Sequence, residues 1–169
     1  ALLSLEVPLF VVVGNHDRAF PSSRAAWQAY MGGTWNRDTD DYSFEYGPCY
    51  FAMLDGFAYY DEGDVGIASS FTVEQCAWLR AELVRAQGSR WRLLFVHYDY
   101  WRQLPELLEG LGVDMLFYGH SDVPCISGAE LARLGIRDGH LRSADAGRLV
   151  RVTSQGLWVE TIPWAALLH

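Results

Sequence analysis

Three times along the chain a short apolar run, rich in β-branched or aromatic residues, stops abruptly on a block that carries a histidine. Leu9–Val13 ends in Gly14-Asn15-His16-Asp17, Trp91–Val96 ends in His97, and Val113–Tyr118 ends in Gly119-His120-Ser121-Asp122. Runs this short, without polar alternation, predict strands buried on both faces. Helix signals lie between them. Thr72 is placed to cap a helix with Glu74 and Gln75 in its first turn, and Cys76, Leu79 and Leu83, with Trp78 beside them, give it an apolar stripe up to Gly88. Leu104–Leu111 is a second such segment. Strands alternating with helices predict parallel pairing and an α/β fold. Parallel strands would bring the three blocks to one edge, the carboxyl edge at which open α/β sheets bind ligands.

The remaining text fits one α/β domain over residues 1–169 with an added antiparallel portion. Tyr42 to Asp55 alternates aromatic with small or polar residues around Gly47-Pro48, the pattern of a hairpin. Arg24–Met31 predicts a short helix capped by Ser22 or Ser23, residues 56–71 a surface loop, and Ala129–Leu134 a helical turn. Leu149–Val152 and Leu157–Ile162 predict closing strands around Gly156.

Composition narrows the function classes. Half of the residues are hydrophobic and 14% aromatic, which excludes a disordered chain. A net charge of −8 with no Lys/Arg-rich run argues against a nucleic-acid partner. No stretch of about 18 apolar residues exists to span a membrane. Ala1–Val13 contains Glu6 and Pro8 and lacks the basic flank and cleavage site of a signal peptide. The compartment stays open between the cytoplasm, the default, and export directed by an upstream signal. Cys49, Cys76 and Cys125 form an odd, widely spaced set, read as buried free thiols.

A single histidine at a strand end is more often structural than functional. Three of them, joined by Asn15, Asp17 and Asp122, form a candidate ligand set.

In their order, Gly14-Asn15-His16-Asp17, His97 and Gly119-His120 resemble the calcineurin-like metallophosphoesterases, whose signatures run Asp-x-His, Gly-Asp, Gly-Asn-His-Asp/Glu, a lone His and Gly-His-x-His. The resemblance covers roughly residues 8–122, taking in Tyr42-Ser43-Phe44 through Leu54-Asp55, Glu74-Gln75 and Trp78-Leu79, with a weaker match at Arg148–Val152. It implies that the chain forms part of a four-layer α/β/β/α sandwich with mixed sheets. The implied activity is hydrolysis of small-molecule phosphate mono- or diesters at a dinuclear centre holding two divalent ions, of Mn, Fe or Zn. By the same resemblance Asn15, His97 and His120 ligate the second metal. His16 stabilises the transition state or protonates the leaving oxygen, and Asp17 accepts a hydrogen bond from the His16 ring.

The chain departs from that pattern twice. Asp122 stands where the family has its second histidine, a ligand of the first metal, and is either a carboxylate ligand or part of a Ser121-Asp122-Val123-Pro124 turn. Nothing before Val13 supplies Asp-x-His or Gly-Asp. Asp138-Gly139-His140, with no apolar strand before it, and Gly63-Asp64, in an acidic loop, are read as non-ligands. The expectation is therefore a domain incomplete at its N-terminus. Such a chain supplies about half of the centre, is inactive alone, and leaves a sheet edge open to the missing half or to another chain. The alternative is a catalytically silent metallophosphoesterase-like binding or regulatory module. Tyr98, Tyr100 and Trp101 either wall a pocket or pack, Asp99 either orients His97 or faces solvent, and Arg102 either pairs with phosphate or is solvated.

Overall fold

In the computed structural model, which describes residues 8–18, 25–27, 29, 40–56, 71–98, 102–141 and 146–163, the sheet starts from a hairpin. Strands β1 (Tyr42–Tyr46) and β2 (Cys49–Leu54) pair antiparallel across Gly47-Pro48, and Gly47 takes the left-handed φ of 57° that such a tight turn requires. From β2 onward every pairing in the sheet is parallel: β2 to β3 (Trp91–Val96), β3 to β4 (Met115–Tyr118), β4 to β5 (Arg137–His140). The result is a mixed five-stranded sheet in the order β1-β2-β3-β4-β5. Strands β6 (Ala146–Val152) and β7 (Leu157–Pro163) form a separate antiparallel pair, where the closing strands were expected.

The connecting helices follow their local signals. After the single turn α1 (Asn15–Arg18), the long helix α2 (Val73–Arg85) opens on a full capping box. The Thr72 side chain accepts the Gln75 amide and the Gln75 side chain accepts the Thr72 amide, both at 3.0 Å. The other end of the Gln75 amide donates to Asp41 Oδ1 at 3.1 Å and to the Asp55 carbonyl at 2.6 Å, so the cap also ties α2 to the end of β2. Helix α3 (Leu104–Leu108) stops short of the expected Leu111, because the chain turns at Gly110 with φ 74°. Helix α4 (Gly128–Arg133) is capped by Ser127.

Alternation along the strands divides the interior in two. On one face Tyr50, Ala52, Leu54, Leu94, Val96, Leu116 and Tyr118 meet Leu79 and Leu83 of α2, Leu104, Leu107 and Leu108 of α3 and Leu131 of α4. On the other, Leu93, Met115 and Phe117 meet Leu157, with Val150, Val152 and Val159 of the β6–β7 pair packed around them. Each fully buried aliphatic side chain contributes about 1.5–3 kcal/mol, so both interfaces matter. Helices, mixed sheet and hairpin make an α/β/β stack, an arrangement consistent with the mixed α/β fold expected.

Several local expectations need correction. Leu9–Val13 is not a strand buried on both faces: it joins no ladder among the described residues, and Leu9 and Phe10 are exposed. Its neighbour β1 holds it through side chains instead, with the Tyr42 hydroxyl donating to the Val11 carbonyl at 2.9 Å and Phe44 stacking on Phe10 at 4.0 Å. Asp138-Gly139-His140 lies in a true strand, because β4 supplies the ladder that its own composition does not announce. Of the thiols, Cys49 is buried and Cys76 half-buried, but Cys125 is exposed. Within Arg24–Met31, residues 25–27 and 29 are helical, and the remainder, with Ser22 and Ser23, lies outside the described residues. So do residues 57–70, including Gly63-Asp64. Among the described residues no helix is long and apolar enough to cross a membrane.

Candidate functional site

Because β2, β3 and β4 run parallel, their carboxyl ends share one edge, which presents Asp55, His97 and Gly119-His120. The Gly119 amide donates to the His97 carbonyl at 3.1 Å and locks the two strand ends together. His120 Nδ1 then stands 3.1 Å from His97 Nε2, the rings meeting edge to face with centroids 5.0 Å apart. Two of the three expected histidines thus converge.

The Gly14–Asp17 block arrives at the same place. A Cβ built on Gly14 would lie 3.3 Å from Asp17 Oδ2 and 3.3 Å from His97 Cε1, so glycine is what lets the backbone pass between the carboxylate and the imidazole. Asp17 Oδ2 accepts the Gly14 amide at 2.8 Å, and the Asp17 amide donates back to the Gly14 carbonyl at 3.1 Å, closing the turn that becomes α1. Asn15 is buried at 6% exposure, while His16, on the same turn, is exposed.

Electrostatics favour neutral imidazole at the centre of this group. Burial, reinforced by His120 and His16 and opposed by Asp17, lowers the His97 pKa from 6.5 to about 4. His97 therefore keeps a lone pair for a Lewis acid at neutral pH. Imidazole nitrogen is a ligand suited to divalent ions such as Zn, so the donor chemistry of the pair fits such an ion. Among the described residues no group of three or more His, Cys, Asp or Glu side chains is arranged to hold a metal.

The other candidates lie around this pair. Asp122 is exposed in the bend 120–123, where Ser121 Oγ accepts the Val123 amide at 3.1 Å. Tyr98 sets its ring edge to face with His120 at 5.2 Å, and its hydroxyl meets Cys125 Sγ at 3.0 Å. Arg102 is exposed and borders a separate cavity of about 840 Å³ with Cys125 and Arg133; Asp99, Tyr100 and Trp101 lie outside the described residues. Sequence reasoning placed Gln75 in the first turn of α2 without showing that its buried amide joins Asp41 to the end of β2, and it gave no role to His140, buried at 7% exposure beside the His120 turn. Only the strand-end position of Asp55 signalled the first, and nothing apolar signalled the second.

The family model for calcineurin-like phosphoesterases matches residues 1–124. Purple acid phosphatase 15 of Arabidopsis thaliana is 26% identical over 141 residues, an alignment that takes in 70% of this chain and 25% of that protein. The chain thus spans about a quarter of the length of this curated relative. With the strand-end histidines, the Gly14–Asp17 block and strands β1 to β4 of the mixed sheet falling in the matched region, which exceeds half of the chain, the protein belongs to the calcineurin-like phosphoesterase family.

Proposed function

We propose that this chain contributes to the hydrolysis of phosphate mono- or diesters, with Asn15, His97 and His120 serving as ligands of one of two divalent ions, of Mn, Fe or Zn. The observation that carries the reading is the convergence of His97 Nε2 and His120 Nδ1 at adjacent strand ends, beside Gly14 and Asp17. Bound divalent cations would acidify water and neutralise charge on the phosphoryl oxygens. The chain's own residues do the rest. His97, neutral by burial, offers its lone pair; exposed His16 stabilises the transition state or protonates the leaving oxygen; Asp17 steadies the turn that carries His16. Asp122 serves as a carboxylate ligand of the other ion. The name of the relative, a purple acid phosphatase, supports the ester class.

Calorimetric titration with Zn²⁺ tests the assignment. His97→Ala and His120→Ala should each weaken binding at least tenfold and abolish hydrolysis of p-nitrophenyl phosphate by the whole protein; binding unchanged in both variants would sink it. A second reading, a silent binding or regulatory module, draws on the finding that the described residues gather no three-ligand set of His, Cys, Asp or Glu. Absence of Zn²⁺ and Mn²⁺ binding by the folded wild-type protein would favour it.

A further inference from the structure

We propose that His140 is a positioning residue: its ring holds the turn after β4 in the conformation that aims His120 at His97. This deepens the proposed function and rests on its reading of the histidine pair. His120 has φ 72°, and among the described residues it is the one non-glycine with positive φ. A left-handed residue with a side chain is strained and persists only where its surroundings impose it. On its amino side the Gly119 amide is fixed to the His97 carbonyl at 3.1 Å. On its carboxyl side the Ser121 carbonyl lies 2.8 Å from His140 Nε2. A carbonyl only accepts, so Nε2 carries the proton and the ring's tautomer is set.

His140 is itself held firmly. Its ring stacks on Tyr118 with centroids 5.0 Å apart, and its amide donates to Asp138 Oδ1 at 2.9 Å, the oxygen that also accepts the Tyr118 hydroxyl. Its carbonyl accepts Arg148 Nη2 at 2.8 Å, and the next amide, Leu141, donates to the Tyr118 carbonyl at 2.7 Å. The last residue of β5 thus braces the turn that leaves β4. Stacking on Tyr118 would be served by an apolar ring; what imidazole adds at this buried position is the donor. With Nε2 committed to Ser121, His140 acts on the centre through His120.

The test compares His140→Phe, which keeps the ring and loses the donor, with His140→Gln, whose amide can reach the same carbonyl. In the metal-free full chain, His140→Phe should lose the nuclear Overhauser contact between the His97 and His120 rings and shift the His120 amide resonance. Its affinity for Zn²⁺ alone should fall about tenfold, with recovery of contact and affinity in His140→Gln. A folded His140→Phe that keeps the ring contact overturns the proposal, and so does a Gln variant that restores nothing. Should His140→Phe not fold, His140→Met provides the donor-free comparison. If wild type binds no Zn²⁺, the reading of the centre fails, while the ring contact still decides whether His140 braces the turn.

Discussion

Glu82 draws donors from three elements: the Ser43 hydroxyl of β1, the Tyr50 hydroxyl of β2, and the Arg85 guanidinium one turn along α2 at 2.8 Å. Burial alone would push its carboxyl up, but the bonds from Arg85, Ser43 and Tyr50 outweigh burial and hold it at about 2, against 4.5 for the free group. Between those two pH values the unfolded chain takes up a proton that the folded chain refuses. This contribution to stability is therefore complete above about pH 4.5 and is lost as pH falls toward 2. Glu82→Ala should cost about 1.5–3 kcal/mol at pH 7, and the gap from wild type should narrow at pH 3. Urea unfolding at both pH values checks this, and an equal gap at the two would refute it. At the candidate site, the residue types were legible because Gly14-Asn15-His16-Asp17, His97 and Gly119-His120 are contiguous words. The reason for Gly14 was not, since the imidazole that crowds it comes from a distant strand end.

Elements whose stabilisation is local or uniformly apolar were the legible ones. Trp91–Val96 and the capped helix from Thr72 sit where the sequence puts them, because an apolar run and a capping box are both visible in one dimension. Two elements escaped for opposite reasons. Leu9–Val13 has strand composition but finds a phenyl ring and a hydroxyl in place of a ladder. Arg137-Asp138-Gly139-His140 has no strand composition but finds one, with Met115 opposite Arg137 and Tyr118 opposite His140, and with Ile136 buried just before it. Gly139 is the residue that permits this pairing. A Cβ there would stand 2.5 Å from the Leu116 carbonyl oxygen and 3.0 Å from Phe117 Cδ1, and a backbone carbonyl within a ladder has little room to yield. Gly139→Ala should therefore destabilise by about 1–3 kcal/mol, each kcal/mol lowering the melting temperature by roughly 2–4 °C. Hydrogen exchange should show β5 amides losing protection before those of β3. An unchanged melting temperature would mean that the strand can move aside without loss.

At the scale of the molecule, the sheet face turned away from the helices carries a row of phenyl rings that crosses the sheet. Phe10 stacks on Phe44 at 4.0 Å, Phe44 on Phe51 at 4.7 Å, Phe51 lies 6.3 Å from Phe95, and Phe95 stacks on Phe117 at 4.5 Å. Cover over this row is graded. The β6–β7 pair seats Leu157 at the Phe117 end, where exposure is 3%, whereas Phe10 at the other end is 51% exposed. Stability should follow the same gradient, since truncating a buried ring loses its transfer energy and leaves a cavity, while truncating a half-exposed ring loses part of the first and none of the second. Phe117→Ala should cost about 3–5 kcal/mol and Phe10→Ala about 1 kcal/mol, with Phe51→Ala and Phe95→Ala between them. Leu157→Ala, which opens the cover from the hairpin side, should cost about 2–5 kcal/mol. Urea unfolding of the series decides the matter. Equal costs at the two ends would mean that the phenyl row is covered along its whole length in solution, and that the hairpin is not what sets the burial of this face.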